Sequence, residues 1–368
     1  MPSLSIMVKP VSSQCNMRCS YCFYKDVAEN RLQADYGRMS FETLDRLVRR
    51  AMAYADGAVS FAFQGGEPTL AGAAFYRKLT ELQRKYNSKG LIVNNSIQTN
   101  GLRLDDDMAE LLAREHFLVG VSYDGTPAIH DMFRKDAAGN GTSGRVEETI
   151  RKLSAYHIDF NILCVVNSLV AQNREECFAN LSRFGYIQYI PCLDAMNGEK
   201  GDYSLTPELY TDFLKGSFDL YYDAFKAGKP VSIRNFDNYL AILLGEQPEN
   251  CGMCGQCGKY YLVEADGSTY PCDFYVLDEW RTGNINDSSF FRLEKSEIGN
   301  AFISASLYVP EKCRSCRWYP LCRNGCRRER EMTGDRINRW CACYSALFEY
   351  AFPRMEKMAE AIRKNRKA

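Results

Sequence analysis

Three thiols stand at Cys15, Cys19 and Cys22, spaced C-x3-C-x2-C, just behind a short apolar run from Leu4 to Val8 that predicts a strand. Thiolates are the ligands of iron–sulfur clusters, and a closed 4Fe–4S cluster takes four of them. A run that supplies three leaves one iron with an open position for a small chelating ligand. Cysteine pairs two residues apart also occur in zinc sites. No fourth Cys or His lies within twenty residues to close a zinc tetrahedron, so that alternative needs a distant ligand. The three histidines, His116, His130 and His157, share no ligand spacing.

A second concentration of thiols lies far downstream. Of sixteen cysteines, Cys164, Cys177 and Cys192 are isolated, and ten fall between Cys251 and Cys343. Disulfide scaffolds are typically small secreted chains, and 368 residues without a visible signal peptide predict a cytoplasmic protein whose cysteines are mostly ligands. Lys and Arg balance Asp and Glu at 46 each, which leaves no overall electrostatic footprint for nucleic acid or an anionic membrane. A local basic patch over residues 323–330 remains open. No apolar run approaches the length of a membrane span.

The elements that must carry these residues alternate. Short apolar runs at Leu4–Val8, Val59–Phe63, Leu91–Ile97, Leu118–Ser122, Phe160–Val166 and Tyr186–Pro191 predict strands. Amphipathic stretches at Phe41–Tyr54, Ala73–Tyr86, Asp106–Glu115, Val146–Tyr156 and Arg174–Phe184 predict the helices between them. Such alternation implies a parallel sheet of right-handed crossover units, with chemistry at the carboxyl ends of the strands. Residues at those ends are Gln64-Gly65-Gly66-Glu67-Pro68, Gln98-Thr99-Asn100-Gly101 and Ser122-Tyr123-Asp124-Gly125. Paired glycines let a backbone approach a ligand, or simply make a tight turn; the polar residues either bind or cap turns. Two further helices, Pro207–Ala227 and Phe236–Leu244, lead to a hairpin over 261–270 that turns at Asp266-Gly267.

The cysteine triad followed by Phe23 resembles the signature of the radical S-adenosylmethionine (SAM) enzymes. That resemblance implies an α/β fold, a partial (β/α)6 TIM-like barrel. It also implies SAM chelated to the open iron and cleaved to methionine and a 5′-deoxyadenosyl radical. The Gly65-Gly66-Glu67-Pro68 element is similar to the family's GGEP element, whose backbone contacts the SAM amino group. Gln64, Gln98, Asn100 and Ser122 are candidate contacts to SAM or substrate. Arg134 is a candidate bidentate partner of the SAM carboxylate, and Tyr24 lies beside the cluster loop. Cys251-Gly-Met-Cys254-Gly-Gln-Cys257 and the thiols after it resemble the SPASM extension, which carries auxiliary 4Fe–4S clusters. The expected domains are residues 1–230 for the barrel with its connecting helix and 231–368 for the SPASM region and a C-terminal helix.

Within that group the chain is most similar to the anaerobic sulfatase-maturating enzymes, through Ser60-Phe-Ala-Phe-Gln-Gly-Gly-Glu-Pro-Thr69, Tyr270-Pro-Cys-Asp-Phe-Tyr-Val-Leu277 and Phe348-Glu-Tyr-Ala-Phe-Pro353. The family pattern implies three 4Fe–4S clusters. Cys15, Cys19 and Cys22 would hold the first, Cys251, Cys257, Cys272 and Cys326 the second, and Cys313, Cys316, Cys322 and Cys341 the third. Cys254 and Cys343 are surplus and could replace a neighbour. It further implies oxidation of a Cys or Ser residue in an unfolded or nascent sulfatase polypeptide to Cα-formylglycine. In that reaction Asp273 is the base, an auxiliary cluster accepts the electron, and flavodoxin or ferredoxin serves as electron donor. Rival readings are a maturase that crosslinks or epimerises a ribosomal peptide precursor, and an iron–sulfur carrier without chemistry of its own. Residues 1–14 are short for the peptide-recognition domain such maturases often carry. Three clusters predict about twelve irons per chain after anaerobic reconstitution. Replacing Cys15, Cys19 and Cys22 together with Ala should leave about eight and abolish SAM cleavage, as iron analysis and chromatography of 5′-deoxyadenosine will report.

Overall fold

The computed structural model describes residues 3–366. Its parallel strands are β1 (Leu4–Val8), β2 (Ala58–Phe63), β3 (Ile92–Thr99), β4 (Leu118–Ser122), β5 (Phe160–Val166) and β6 (Tyr186–Pro191), each paired to the next in sequence order. β7 (Ser232–Ile233) extends that sheet beyond β6. At its other edge, β8 (Tyr261–Val263) pairs in parallel with β1, and β9 (Ser268–Tyr270) and β10 (Gly283–Asn284) follow antiparallel. One sheet of ten strands therefore runs through the expected boundary at residue 230, with β7 on the near side of the sheet and β8 on the far side.

The helices form where the apolar spacing predicts them. In Phe41–Tyr54 the buried residues Leu44, Leu47, Val48 and Ala51 recur on one face, and Ser40 caps the first turn by accepting from the Thr43 amide. Asp105 caps Asp106–Arg114 in the same way, accepting from Met108 N at 2.9 Å. Within the barrel region three short helices go unannounced by periodicity: Phe23–Glu29, Pro127–Phe133 and Ser168–Gln172. At five to seven residues they hold too few turns for a repeat to show.

The hairpin over 261–270 forms as expected, but its pairing with β1 was not legible, because a parallel partner so distant in sequence leaves no local signal. A buried ion cluster sits on this seam. Glu264, just past β8, accepts from Lys9 Nζ at 2.7 Å and Arg31 Nη1 at 2.8 Å, all three side chains being almost wholly enclosed.

The run 323–330 is not a basic surface patch. Arg330 is buried and donates to the carbonyls of Gly255, Ser306 and Gly325, tying the cysteine-bearing loops together. Arg327 is buried too, against Tyr275, Trp280 and Phe302, with Nη1 on Phe302 O at 2.8 Å. The C-terminal helix Cys341–Asn365 packs along Pro207–Lys226 and closes the molecule. Among the described residues no helix is long and apolar enough to cross a membrane.

Candidate active site

The carboxyl ends of β1, β2, β3 and β4 converge on the cysteine loop. The backbone of the loop lies directly against the glycine pair that follows β2. Gln14 O accepts from Glu67 N at 2.8 Å, and a Cβ on Gly66 would sit 2.3 Å from that same oxygen and 2.9 Å from Ser12 O. Gly66 also has φ +58°, a conformation that strains residues bearing a side chain. Gly65 at φ +91° leaves room for Lys9, whose Cε would be 2.5 Å from a Cβ there. Both glycines are thus required by contact with the protein itself.

Glu67 is buried, and its carboxylate faces inward. Oε1 accepts from Thr69 N, Thr69 Oγ1 and Thr99 Oγ1, and Oε2 accepts from Asn100 N at 2.7 Å. The side chain therefore ties the end of β2 to the end of β3, and any cofactor contact from this element falls to its backbone. Asn100 reaches the cysteine loop, donating to Asn16 Oδ1 at 2.8 Å and towards Cys15 Sγ at 3.6 Å. Gln98 donates to Ser122 Oγ at 3.3 Å, which places both at the rim of β3 and β4.

Arg134 is buried and not a surface side chain. Its Nε and Nη2 donate to the two oxygens of buried Asp124 at 2.8 and 3.2 Å, so that bidentate edge already holds an internal carboxylate. Asp124 further accepts from Val165 N at 2.9 Å and from the Tyr21 hydroxyl. Four hydrogen bonds make it an anchor of the β4–β5 ends, where sequence left it divided between contact and turn. Beside it, His130 Nδ1 accepts from Asp124 N while its Nε2 meets Thr142 Oγ1, which itself donates to Arg134 O. These partners fix the neutral Nε2–H form, and burial lowers the His130 pKa to about 4.

Asp273 and Tyr24 meet at the mouth. The helix Phe23–Glu29 packs on the turn Asp273–Tyr275, Phe23 against Phe274 with ring centroids 5.0 Å apart. Tyr24 then donates to Asp273 Oδ2 at 3.4 Å, and its ring lies under the Lys9 ammonium, 5.6 Å from Nζ to centroid. Loss of hydration raises the pKa of both Asp273 and Tyr24, and Gln64 also bonds the Tyr24 hydroxyl. Lys9, Arg31, Glu264 and Tyr21 are the members that sequence reasoning passed over. A lone lysine at the carboxyl end of a barrel strand was the available signal.

All sixteen cysteines are free thiols. Cys15, Cys19 and Cys22 lie within range of one another's charge. So do Cys251, Cys257, Cys272 and Cys326, and separately Cys313, Cys316, Cys322 and Cys341. Among the described residues no three His, Cys, Asp or Glu groups close in on a single metal ion. The surplus thiols Cys254 and Cys343 lie within range of Cys251 and Cys341 respectively, but each has a backbone carbonyl as its hydrogen-bond partner. Cys343 donates to Pro207 O at 3.3 Å, and Cys254 faces Pro248 O and Asn250 O. Burial pushes Cys19, Cys322 and Cys326 up to about 12, so metal must displace a proton at each. A donor set of soft thiols grouped in three, four and four fits iron–sulfur clusters.

Comparison with known proteins agrees in extent. The Radical SAM superfamily model matches residues 10–178, and the iron-sulfur cluster-binding SPASM domain matches residues 251–317. A cysteine-type anaerobic sulfatase-maturating enzyme of Clostridium perfringens (strain 13 / Type A) is 46% identical over 370 residues, covering 99% of this chain and 100% of that protein. A serine-type counterpart of Bacteroides thetaiotaomicron is 30% identical, covering 98% of this chain and 92% of its own length. The solved structure of native anSMEcpe with bound AdoMet and Cp18Cys peptide superposes with a TM-score of 0.93 at 46% identity, covering 98% of this chain and 100% of that one. Streptococcus suis SuiB, 13% identical with a TM-score of 0.61 over 93% of this chain and 76% of its own, shares the fold alone. The geometry makes one firm demand. Gly66→Ala should displace the cysteine loop and lose about four irons per chain, whereas Gly37→Ala, with φ +77° but nothing within 4 Å, should keep them. Iron analysis of the two reconstituted variants checks it.

Proposed function

The chain belongs to the anaerobic sulfatase-maturating enzymes, and from that premise we propose that it oxidises a cysteine side chain of a sulfatase polypeptide to Cα-formylglycine in the mouth of the barrel. The observation that carries the reading is full-length kinship to the cysteine-type enzymes at 46% and 42% identity, against 30% and 27% for the serine-type. It supports cysteine as the residue oxidised. The electron donor is a flavodoxin or ferredoxin, and the site of action is the cytoplasm.

The residues fit the groups this chemistry needs. Cys15, Cys19 and Cys22 hold the cluster that leaves a position for SAM. Cys251, Cys257, Cys272 and Cys326 hold one auxiliary cluster, and Cys313, Cys316, Cys322 and Cys341 the other. When bound, these groups supply the hydrogen-atom acceptor for the substrate Cβ and the acceptor for the remaining electron.

What the chain itself must do is orient the peptide, exclude water and take a proton. Oxidising a thiol-bearing carbon to the thioaldehyde level removes a hydrogen atom, a proton and an electron. Asp273 is the carboxylate placed for the proton: it lines the mouth, Tyr24 holds its Oδ2, and no cation pairs with it at hydrogen-bond distance among the described residues. A positioned base of this kind contributes on the order of 100-fold or more. Gln98, Asn100 and Ser122, together with the backbone of Gln64 to Glu67, remain the contacts for SAM and peptide. For Arg134 that role is limited to whatever its Asp124 pairing leaves.

Two experiments test this. Anaerobic incubation with SAM, reductant and sulfatase-derived peptides should yield formylglycine by mass spectrometry, faster with Cys than with Ser. Asp273→Asn should keep its iron and still make 5′-deoxyadenosine while formylglycine falls roughly 100-fold; full yield from that variant would remove Asp273 as base. For the ligands, Cys272→Ala should lose iron and turnover, and Cys254→Ala should lose neither. The reverse pattern would redraw the second ligand set.

A further inference from the structure

Lys9 has no part in the reaction as described, yet it occupies a distinctive place. It follows β1 directly, its amide donates to Val263 O at 2.9 Å, and its side chain is fully enclosed beneath the barrel mouth. The stem runs over Gly65, where any Cβ would collide with it. Its Nζ donates to Glu264 Oε1 and stands over the face of the Tyr24 ring, while Tyr24 donates to Asp273. The Lys9 ammonium lies within range of the Asp273 charge.

Glu264 is shared by two cations, Lys9 and Arg31. The trio therefore carries one excess positive charge in a buried setting, and a buried charge needs a counter-charge or a pKa shift. Asp273 is the carboxylate that faces Lys9 and is not otherwise ion-paired among the described residues. Arg31 extends the same unit to the cysteine loop through Ser12 Oγ at 3.2 Å, and also donates to Ala34 O at 2.9 Å in the segment after the helix Phe23–Glu29. One charged group thus touches the strand seam, the cluster loop and the tyrosine that holds the base.

We propose that Lys9 is a positioning residue for the oxidation: anchored by Glu264 at the β1–β8 seam, it fixes Tyr24 and the Asp273 carboxylate in register with the peptide, so that radical formation and proton removal stay coupled. The inference rests on the reaction proposed above and goes beyond it in naming what aims the base. Removing the ammonium leaves Glu264 paired with Arg31, so the seam keeps one of its two ion pairs.

The test uses the reconstituted full chain with Lys9→Met, Lys9→Gln and Lys9→Arg. In Lys9→Met the iron content and the KM for the Cys peptide should match the parent, while kcat for formylglycine falls roughly 10- to 100-fold, the scale of a small misplacement at the reacting centre. The 5′-deoxyadenosine formed per formylglycine should rise by the same factor, and Lys9→Arg should recover most of the coupling. An anaerobic crystal structure of Lys9→Met should show the Tyr24 hydroxyl and the Asp273 carboxylate moved apart. Parent-like coupling in Lys9→Met would overturn the proposal, as would 5′-deoxyadenosine and formylglycine falling in step. Should Lys9→Met lose iron, Lys9→Gln, which still reaches Glu264, is judged by the same ratio. The parent is run alongside: a parent that makes no formylglycine removes the reaction itself, whereas a coupled parent beside an equally coupled Lys9 variant removes only the role of Lys9.

Discussion

The site depends on one close approach: the backbone of Ser12 to Gln14 pressed against Gly66. The cysteine loop follows β1 and the glycine pair follows β2, so the register of those two strands decides where the thiols stand. A one-residue slip would turn each side chain to the opposite face of the sheet. The loop has little regular structure of its own; Gln14 O on Glu67 N and the missing Cβ of Gly66 set its near side, and Arg18 N on Lys135 O and Ser20 N on Phe133 O hold its far side. Glu67 then carries the constraint onward to β3 through Thr99 and the Asn100 amide, and Asn100 returns it to Asn16 in the loop. Three strand ends and the loop are thereby locked as one body.

The second half of the site arrives by a different route. β8 docks on the free edge of β1, and the hairpin to β9 is so short that the chain re-emerges at Pro271-Cys272-Asp273 beside the helix Phe23–Glu29. The proposed base and a proposed cluster ligand therefore share one turn. Further out, the C-terminal region has few regular elements, and buried arginines do the work that a sheet does in the barrel. Arg330 gathers the carbonyls of Gly255, Ser306 and Gly325, of which that of buried Ser306 would otherwise lack a side-chain donor.

Much of this was legible. The six barrel strands and their long helices show in hydrophobic periodicity because each buries one face or both against a layer. The cysteine triad and the downstream concentration of thiols show because ligand chemistry restricts residue type and spacing, whereas their division into sets is what the family resemblance implies. What stayed hidden is long-range. Nothing near Tyr261–Val263 announces a parallel partner at residues 6–8, and nothing near Arg134 announces Asp124 as the carboxylate it binds. Arg323 to Arg330 reads as a charged surface because composition cannot tell a guanidinium in water from one satisfied by backbone carbonyls. Glu67 misleads in the opposite sense: its motif marks the cofactor site, yet its own carboxylate faces the protein.

The zero net charge of the chain hides strict local pairing at the site. Asp124 and Arg134 form one neutral buried pair. Lys9 and Arg31 share the Glu264 carboxylate, with Asp273 within range of the Lys9 charge. Such groups are weak contributors to stability, since desolvation offsets much of their attraction. Their value is geometric. Glu264 can reach Lys9 only if β8 sits in its observed register on β1, because a shift of one residue would send its carboxylate to the other side of the sheet. An apolar side chain at the same place would tolerate such a slip; an ion that must find its partner does not. The Lys9–Glu264–Arg31 cluster thus favours the pairing of barrel and C-terminal region that sets Asp273 against Tyr24. On this argument the polar cost at the seam is retained because it specifies where the second half of the active site lands.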